Sequence, residues 1–331
     1  MYTVSILVPI FKVEQYIERC AKSLFEQTYP QLEFIFVDDC SPDKSCDILQ
    51  GLLDAYPKQK KNTRILHHDR NRGLAAARNT AIDNCTGVFV CHVDSDDYLE
   101  PDAIERLVRK QIETNADIVS GNATKHTLDG EVPFNEPSYP DKYSMLENLV
   151  AQMEHHMIWG RLIKRELYIS NKIYAEEGCN VGEDWQVIVP LVYHASSIAF
   201  INYPIYHYNC LNQNSYMAQK SSLSIINEKI LKQDLRSLEI VKEFVRKNDR
   251  HLYQLIKATG SRFAESSMNS CVREANRALY YHIVNWLKAD KDYFDRPKTK
   301  LLIDGSYIIY WIYFNFKRGV RKLSSFFACA Q

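Results

Sequence analysis

No apolar stretch in this chain is long enough to cross a bilayer; the nearest approach, Tyr307 to Phe316, is about half of the roughly 18 to 20 residues required. Charge of one sign is also missing. Lys plus Arg and Asp plus Glu each number 41, so there is no net basic field of the kind that attracts nucleic acid. The nine cysteines (20, 40, 46, 85, 91, 179, 210, 271 and 329) form no C-x-x-C pair and no Cys-His cluster at zinc spacing, which predicts a reducing compartment. Met1-Tyr2-Thr3 runs straight into the apolar Val4–Val8, without the basic region and cleavage site of a secretory signal, and a cytoplasmic protein is expected. The phosphate-binding patterns G-x-G-x-x-G and G-x-x-x-x-G-K-[ST] and the nucleophile pattern G-x-S-x-G are all absent, which removes several common enzyme classes.

What is present is an alternation. Short β-rich runs at Val4–Val8, Leu32–Val37, Thr63–His67 and Val88–Val93 are each followed by a segment of helical spacing, the order of an α/β fold. The first helix is predicted to bury Val13, Ile17, Cys20 and Leu24, and the second to start at Ser41-Pro42 with serine as its cap. A third follows Gly73, from Leu74 to about Asn84, and a fourth follows Pro101 with Ile104, Leu107, Val108 and Ile112 on its apolar face. Asp117–Ser120 reads as a further strand, and the proline-containing segment from Leu128 to Asp141 as a loop. From about Ser221 to Ala289 the pattern is long, charged and helical, enough for two or three packed helices. At 331 residues, one large domain with a smaller appendage is the natural arrangement.

Two of the strands end in acid: Val37-Asp38-Asp39-Cys40-Ser41 and Val93-Asp94-Ser95-Asp96-Asp97. Ligands of open α/β sheets bind at the carboxyl ends of strands, so five carboxylates are expected on one rim. Crowded carboxylates repel one another unless a cation sits among them. Oxygen ligands suit Mg2+ or Mn2+, commonly with substrate phosphates completing the shell, which points to a nucleotide diphosphate. The plain alternative is a solvated acidic turn ahead of a helix. An EF-hand is excluded, because its spacing would put Leu99 where glycine is required.

Read in order, Val8-Pro9-Ile10-Phe11, Val37-Asp38-Asp39-Cys40-Ser41, Asn71-Arg72-Gly73 with Ala77-Arg78-Asn79, Val93-Asp94-Ser95-Asp96-Asp97 and Gly182-Glu183-Asp184-Trp185 resemble the motifs of a family 2 glycosyltransferase of GT-A type, of the bacterial polysaccharide-assembly kind, through about residue 210. The resemblance implies a Rossmann-like mixed sheet flanked by helices, with a C-terminal helical appendage. Beyond its reach the helical pattern and the residues after Asp304 complete the division into a catalytic domain (1–215), an appendage (216–304) and a tail (305–331). The resemblance places Pro9, Ile10 and Phe11 beside the nucleotide base and gives Asp38 or Asp39 the uracil edge. Asn71, Gly73, Arg78 and Asn79 match the loop-and-helix motif near base and phosphate. Asp94, with Ser95, is implied at the ribose, and Asp96 with Asp94 at Mn2+ or Mg2+. The implied reaction is that of an inverting, metal-dependent hexosyltransferase with a UDP-sugar donor and a saccharide hydroxyl, lipid-linked, as acceptor. Asp184 would be the base, with Glu183 orienting it or touching the acceptor. Trp159 and Trp185 are either core aromatics or platforms for a sugar ring. Two departures stand out: Lys12 replaces a common asparagine, and Cys40 a common glycine, which predicts a turn without positive φ.

After Asp304 there is no acidic residue, while Lys317, Arg318, Arg321 and Lys322 lie beside Tyr307, Tyr310, Trp311, Tyr313, Phe314 and Phe316. Such a tail is expected to dock on the anionic inner face of the plasma membrane; the alternative is a terminal helix folded back on the appendage. Two competing functions would leave different marks on the sequence. A sugar-phosphate nucleotidyltransferase would need a glycine-rich loop where Pro9-Ile10-Phe11-Lys12 stands. A non-catalytic nucleotide-sugar or membrane-binding module would show damage at Asp94, Asp96 or Asp184, and all three are intact.

Overall fold

Strands β1 (Val4–Ile10) and β2 (Leu32–Asp38) are buried along almost their whole length, as interior parallel strands covered on both faces must be. Their side chains alternate between two cores. Ile6, Val8, Ile10, Phe34 and Phe36 face one, while Leu7, Ile35 and Val37 face the other. In the computed structural model of the chain, the residues described are 1–152, 156–212, 215, 228–273, 276–289, 307 and 310.

The strands β3 (Thr63–His67), β2, β1 and β4 (Phe89–His92) run parallel in that spatial order. The sheet then turns mixed. β8 (Arg161–Lys164) is antiparallel to β4, β6 (Ile118–Thr127) is antiparallel to β8, β9 (Ile198–Asn209) runs parallel to β6, and β5 (Tyr98–Leu99) closes the edge against β9. Helices α1 (Ile17–Phe25), α2 (Ser45–Ala55) and α5 (Ala103–Thr114) cover one face; α4 (Leu74–Asn84), α6 (Lys142–Gln152) and α8 (Glu183–His194) cover the other. The short helices α3 (Pro57–Lys60) and α7 (Arg165–Asn171) complete this part.

Three local expectations are corrected. α2 starts at Ser45, one turn later than the Ser41 cap predicts, because Asp43 gathers the Ser41 hydroxyl and the Ser45 N–H and hydroxyl on one carboxylate oxygen. This is a side-chain turn that competes with helix. Ile112 is 64% exposed, and Gln111 takes the buried position of α5. Part of the segment predicted as loop forms β7 (Gly130–Phe134), paired with β6 as a hairpin; Pro133 is tolerated there, at the side of the sheet path.

Helices α9 (Glu228–Asn248), α10 (Arg250–Arg273) and α11 (Arg277–Ala289) follow. Leu238, Val241 and Val245 of α9 and Leu252 and Ile256 of α10 pack in the same core as α4, α6 and α8, so this appendage is rooted in the sheet domain. Its far end has a core of its own, in which Tyr280 and Ile283 meet Tyr307 and Tyr310. Tyr307 is 5% and Tyr310 4% exposed, and the Tyr310 hydroxyl donates to Asn269. These two rings therefore fold back on the helices and are not offered to lipid; the rest of the 305–331 tail lies outside the described residues. No helix among the described residues is long and apolar enough to cross a membrane.

Candidate active site

The carboxyl ends of β1, β2 and β4 open into a cavity of about 500 Å³, closed on its far side by the start of α8 and by Ile230 and Asp234 of α9. Pro9, Ile10 and Phe11 border it at the end of β1, with Phe11 40% exposed. Strand alternation separates the two acids that end β2. Asp39 borders the cavity. Asp38 turns away, accepting from the Ser41 N–H at 2.8 Å and facing the His67 ring at 3.0 Å. Asp39 is held firmly: it accepts from the Arg72 and Gly73 N–H groups at 2.8 and 2.7 Å and meets His68 Nδ1 at 2.6 Å. Of the roughly four lone-pair positions of a carboxylate, one is left for a ligand. The prediction for Cys40 is corrected, since it sits at φ 56°, as does Lys12. Both turns are left-handed, and each holds a residue with a Cβ where glycine would carry no strain.

Gly73, the residue before α4, has φ 92°, and a Cβ there would lie 2.3 Å from Nδ2 of Asn180. Only glycine lets this loop meet the loop ahead of α8. Asn180 Oδ1 also accepts from the Ala75 N–H at 3.1 Å, tying the two segments together. Asn71 borders the cavity. Asn79 does not, because its amide both donates to and accepts from the backbone of Ala175.

Arg78 is the centre of the site. Its guanidinium donates to Asp94 and Glu183, each at 2.7 Å, and to Asp184. Expected at base or phosphate, it borders the cavity with both terminal nitrogens taken up by carboxylates. One cation faces three acids, so the group cannot hold all of them ionised without cost. Burial, and then the neighbouring Asp184 charge, push the Glu183 carboxyl up; burial does the same to Asp184, against the pull of Arg78. Both carboxyls are thus held above the usual carboxylate range, with Arg78 as their common partner. Both are the opening residues of α8 after Gly182 at φ 76°, where the helix dipole favours negative charge.

In the loop after β4, Asp94, Ser95 and Asp96 border the cavity. Asp97 does not. It is wholly buried and accepts from the Tyr206 hydroxyl and the Asn209 N–H, each at 2.7 Å. That hydroxyl in turn accepts from the Asp94 N–H at 3.1 Å, so β9 braces the loop. The expected rim of five carboxylates is thus three, Asp39, Asp94 and Asp96, with Asp38 and Asp97 turned to structural work. Burial, followed by the charge of Asp94, pushes the Asp96 carboxyl up to about 6, and Asn212 donates to it at 2.7 Å. Two hard oxygen ligands with adjoining open space fit Mg2+ or Mn2+, which keeps most of its shell for phosphate and water.

Trp185 lies at the border of the cavity but is 1% exposed, with its indole donating to the Leu149 carbonyl at 3.0 Å, and of the two readings the core one describes its packing. Trp159 stacks on Tyr206 at 4.4 Å, and its 7% exposed remainder borders the cavity. Tyr206, Asn180, Asn212 and the α9 residues carry no local motif, and their part in the site comes only from long-range packing.

The mixed sheet, with helices on both faces and a cavity at its strand ends, is the GT-A fold. The chain belongs to glycosyl transferase family 2, whose description residues 5–173 match. It is 32% identical to "Glycosyltransferase GlyA" of Streptococcus pneumoniae, over 67% of this chain and 31% of that protein; it thus spans about a third of that relative's length. A structure of S. aureus TarS 1-349 in complex with UDP superposes with a TM-score of 0.65 at 18% identity, covering 99% of this chain and 92% of that one. The mannosyltransferase PcManGT from Pyrobaculum calidifontis, in complex with GDP-Man and Mn2+, superposes at 0.54 with 16% identity, covering 96% and 86%. At these identities the two superpositions speak for the fold.

Proposed function

We propose that this glycosyltransferase moves a sugar, with inversion, from a UDP-sugar to a hydroxyl of a saccharide acceptor, lipid-linked, in cell-surface polysaccharide synthesis. The observation that carries the reading is that Asp94, Asp96 and Asp184 border one cavity, with Arg78 donating to both Asp94 and Asp184. The nucleotide lies along Pro9, Phe11, Asn71 and Asp39, where the remaining lone pair of Asp39 accepts from the base. Asp94 and Asp96 would hold Mn2+ or Mg2+, and such an ion would supply positive charge beside the departing diphosphate. Asp184 takes the proton of the attacking hydroxyl, and a carboxyl pushed up by burial is a better base than a solvated one. Glu183 shares Arg78 with it and fixes its orientation. Trp159, Ile230 and Asp234 form the acceptor wall, so the helical appendage takes part in acceptor choice. The nucleotide and Mn2+ complexes of the superposed structures support this reading.

The test is calorimetric titration with UDP, GDP and TDP, each with and without Mn2+, alongside a transfer assay. The Asp184→Asn variant is expected to bind nucleotide as the parent does and to lose transfer by about a hundredfold or more. Asp96→Ala is expected to lose the Mn2+-dependent binding. Transfer by Asp184→Asn at the parental rate sinks the assignment of the base.

A further inference from the structure

On the face of β2 opposite the cavity, three different donor atoms come together. Asp38 ends β2, His67 ends β3 directly opposite it in the parallel register, and Cys46 lies in the first turn of α2. A carboxylate oxygen, a ring nitrogen and a sulfur from these residues all lie within 4.8 Å of one another. We propose that Asp38, Cys46 and His67 form a second metal site, selective for a zinc-class divalent ion and separate from the oxygen-only pair Asp94 and Asp96.

The donor chemistry sets the selectivity. Thiolate and imidazole suit Zn2+, Co2+ and Cd2+, whereas the carboxylate pair of the cavity suits Mg2+ and Mn2+. Three protein ligands leave one tetrahedral position for water. Much of the geometry is fixed without an ion. The Asp38 carboxylate is oriented by the Ser41 N–H at 2.8 Å and already stands 3.0 Å from His67 Nδ1, close to the separation of two ligands on one zinc at about 2.0–2.1 Å each. Burial first, and then the carboxylates of Asp38, Asp43 and Asp47, push the Cys46 thiol up to about 12, so the ion must displace a firmly held proton, and the same carboxylates attract it. Binding breaks the S–H bond of Cys46, forms the metal–sulfur bond and releases that proton to solvent; it also replaces the hydrogen bond from His67 Nδ1 to Asp38, the ring proton moving to Nε2 so that the Nδ1 lone pair meets the ion. The His67 side chain is 59% exposed, so the ion has an open approach.

The residues next in sequence to two of these ligands, Asp39 and His68, contact each other on the cavity side. A bound ion would therefore clamp the ends of β2 and β3 directly behind the donor-base position.

The experiment is titration of the full chain, reduced and metal-free, with Co2+, read by the thiolate-to-cobalt charge-transfer band and the visible bands of a tetrahedral site. One thiolate-bound Co2+ per chain is expected from the charge-transfer band, displaced by Zn2+. The bands are expected to persist in Asp96→Ala and Cys40→Ser, to vanish in Cys46→Ser, and to need at least about tenfold more Co2+ in His67→Ala, the least that losing even an outer partner usually costs. His67→Ala changes an exposed side chain and keeps the test valid if Cys46→Ser does not fold. Absence of a band in the parent, its survival in Cys46→Ser, or its loss in Cys40→Ser or Asp96→Ala overturns the proposal. Because Asp96→Ala removes the other proposed metal position, failure of either site is seen independently of the other.

Discussion

Without metal, Asp96→Asn is expected to be more stable than the parent at pH 8 and equal to it near pH 4. The Asp96 carboxyl is raised from 3.8 to about 6, by burial first and by Asp94 second. At 1.36 kcal/mol per unit, a shift of about two units sets a ceiling of ~3 kcal/mol. The residue keeps partial contact with solvent, and screening reduces the figure to about 1–2 kcal/mol. The folded state holds this proton more tightly than the unfolded chain, so the protonated group's contribution is complete below about pH 4 and is lost as pH rises through about 6. An asparagine has no proton to lose. Mn2+ should reverse the order at pH 8, because an ion at 100 times its Kd adds about 2.7 kcal/mol to the parent alone. Urea denaturation at pH 4 and pH 8, with EDTA or with Mn2+, measures all four states. A variant that is less stable than the parent in EDTA at pH 8, or that gains as much from Mn2+, refutes the reasoning.

Other perturbations test other parts of the site. Arg78→Ala leaves Glu183, Asp184 and Asp94 facing one another without a cation, and is expected to cost about 3–5 kcal/mol in denaturant unfolding; part should return on acidification, as Glu183 and Asp184, both already pushed up by burial, take up protons. Cys40→Gly relieves a left-handed residue at φ 56° and should stabilise the protein by roughly 0.5–1 kcal/mol, seen as a higher melting temperature. Gly73→Ala places a Cβ 2.3 Å from Asn180 at an unfavourable φ, with an expected loss of about 1–3 kcal/mol. Adding Asn180→Ala should recover the part due to the clash, and a pair of losses that simply add would argue against that contact.

The strands and helices of the first hundred residues were legible from local signals, short apolar runs of β-formers for the strands and an apolar face or a preceding glycine for the helices. Val4–Val8 and Leu32–Val37 lie within the observed β1 and β2, and Leu74 to Asn84 matches α4. The misreadings are places where a contact outvoted the local pattern. Asp43 delays the start of α2, β6 recruits Gly130–Phe134 into a hairpin, and Cys40 accepts a backbone angle that its side chain disfavours.

The sequence by itself determined the wound α/β core, the order of the motifs and the two acidic strand ends, Asp38-Asp39 and Asp94 to Asp97, because strand ends and acidic turns are local features; Asp184 was legible only through the resemblance of its motif. Tertiary structure alone decided which acids face the cavity and which brace it. Asp97 is withdrawn by Tyr206, 109 residues away along the chain, and Arg78 is committed to Glu183 at a separation of 105. Likewise, Asp38, Cys46 and His67 meet only because parallel pairing sets β2 beside β3 with α2 packed at their ends. A carboxylate's charge is written in the sequence; its partner, and so its burial and basicity, exists only once the chain has folded.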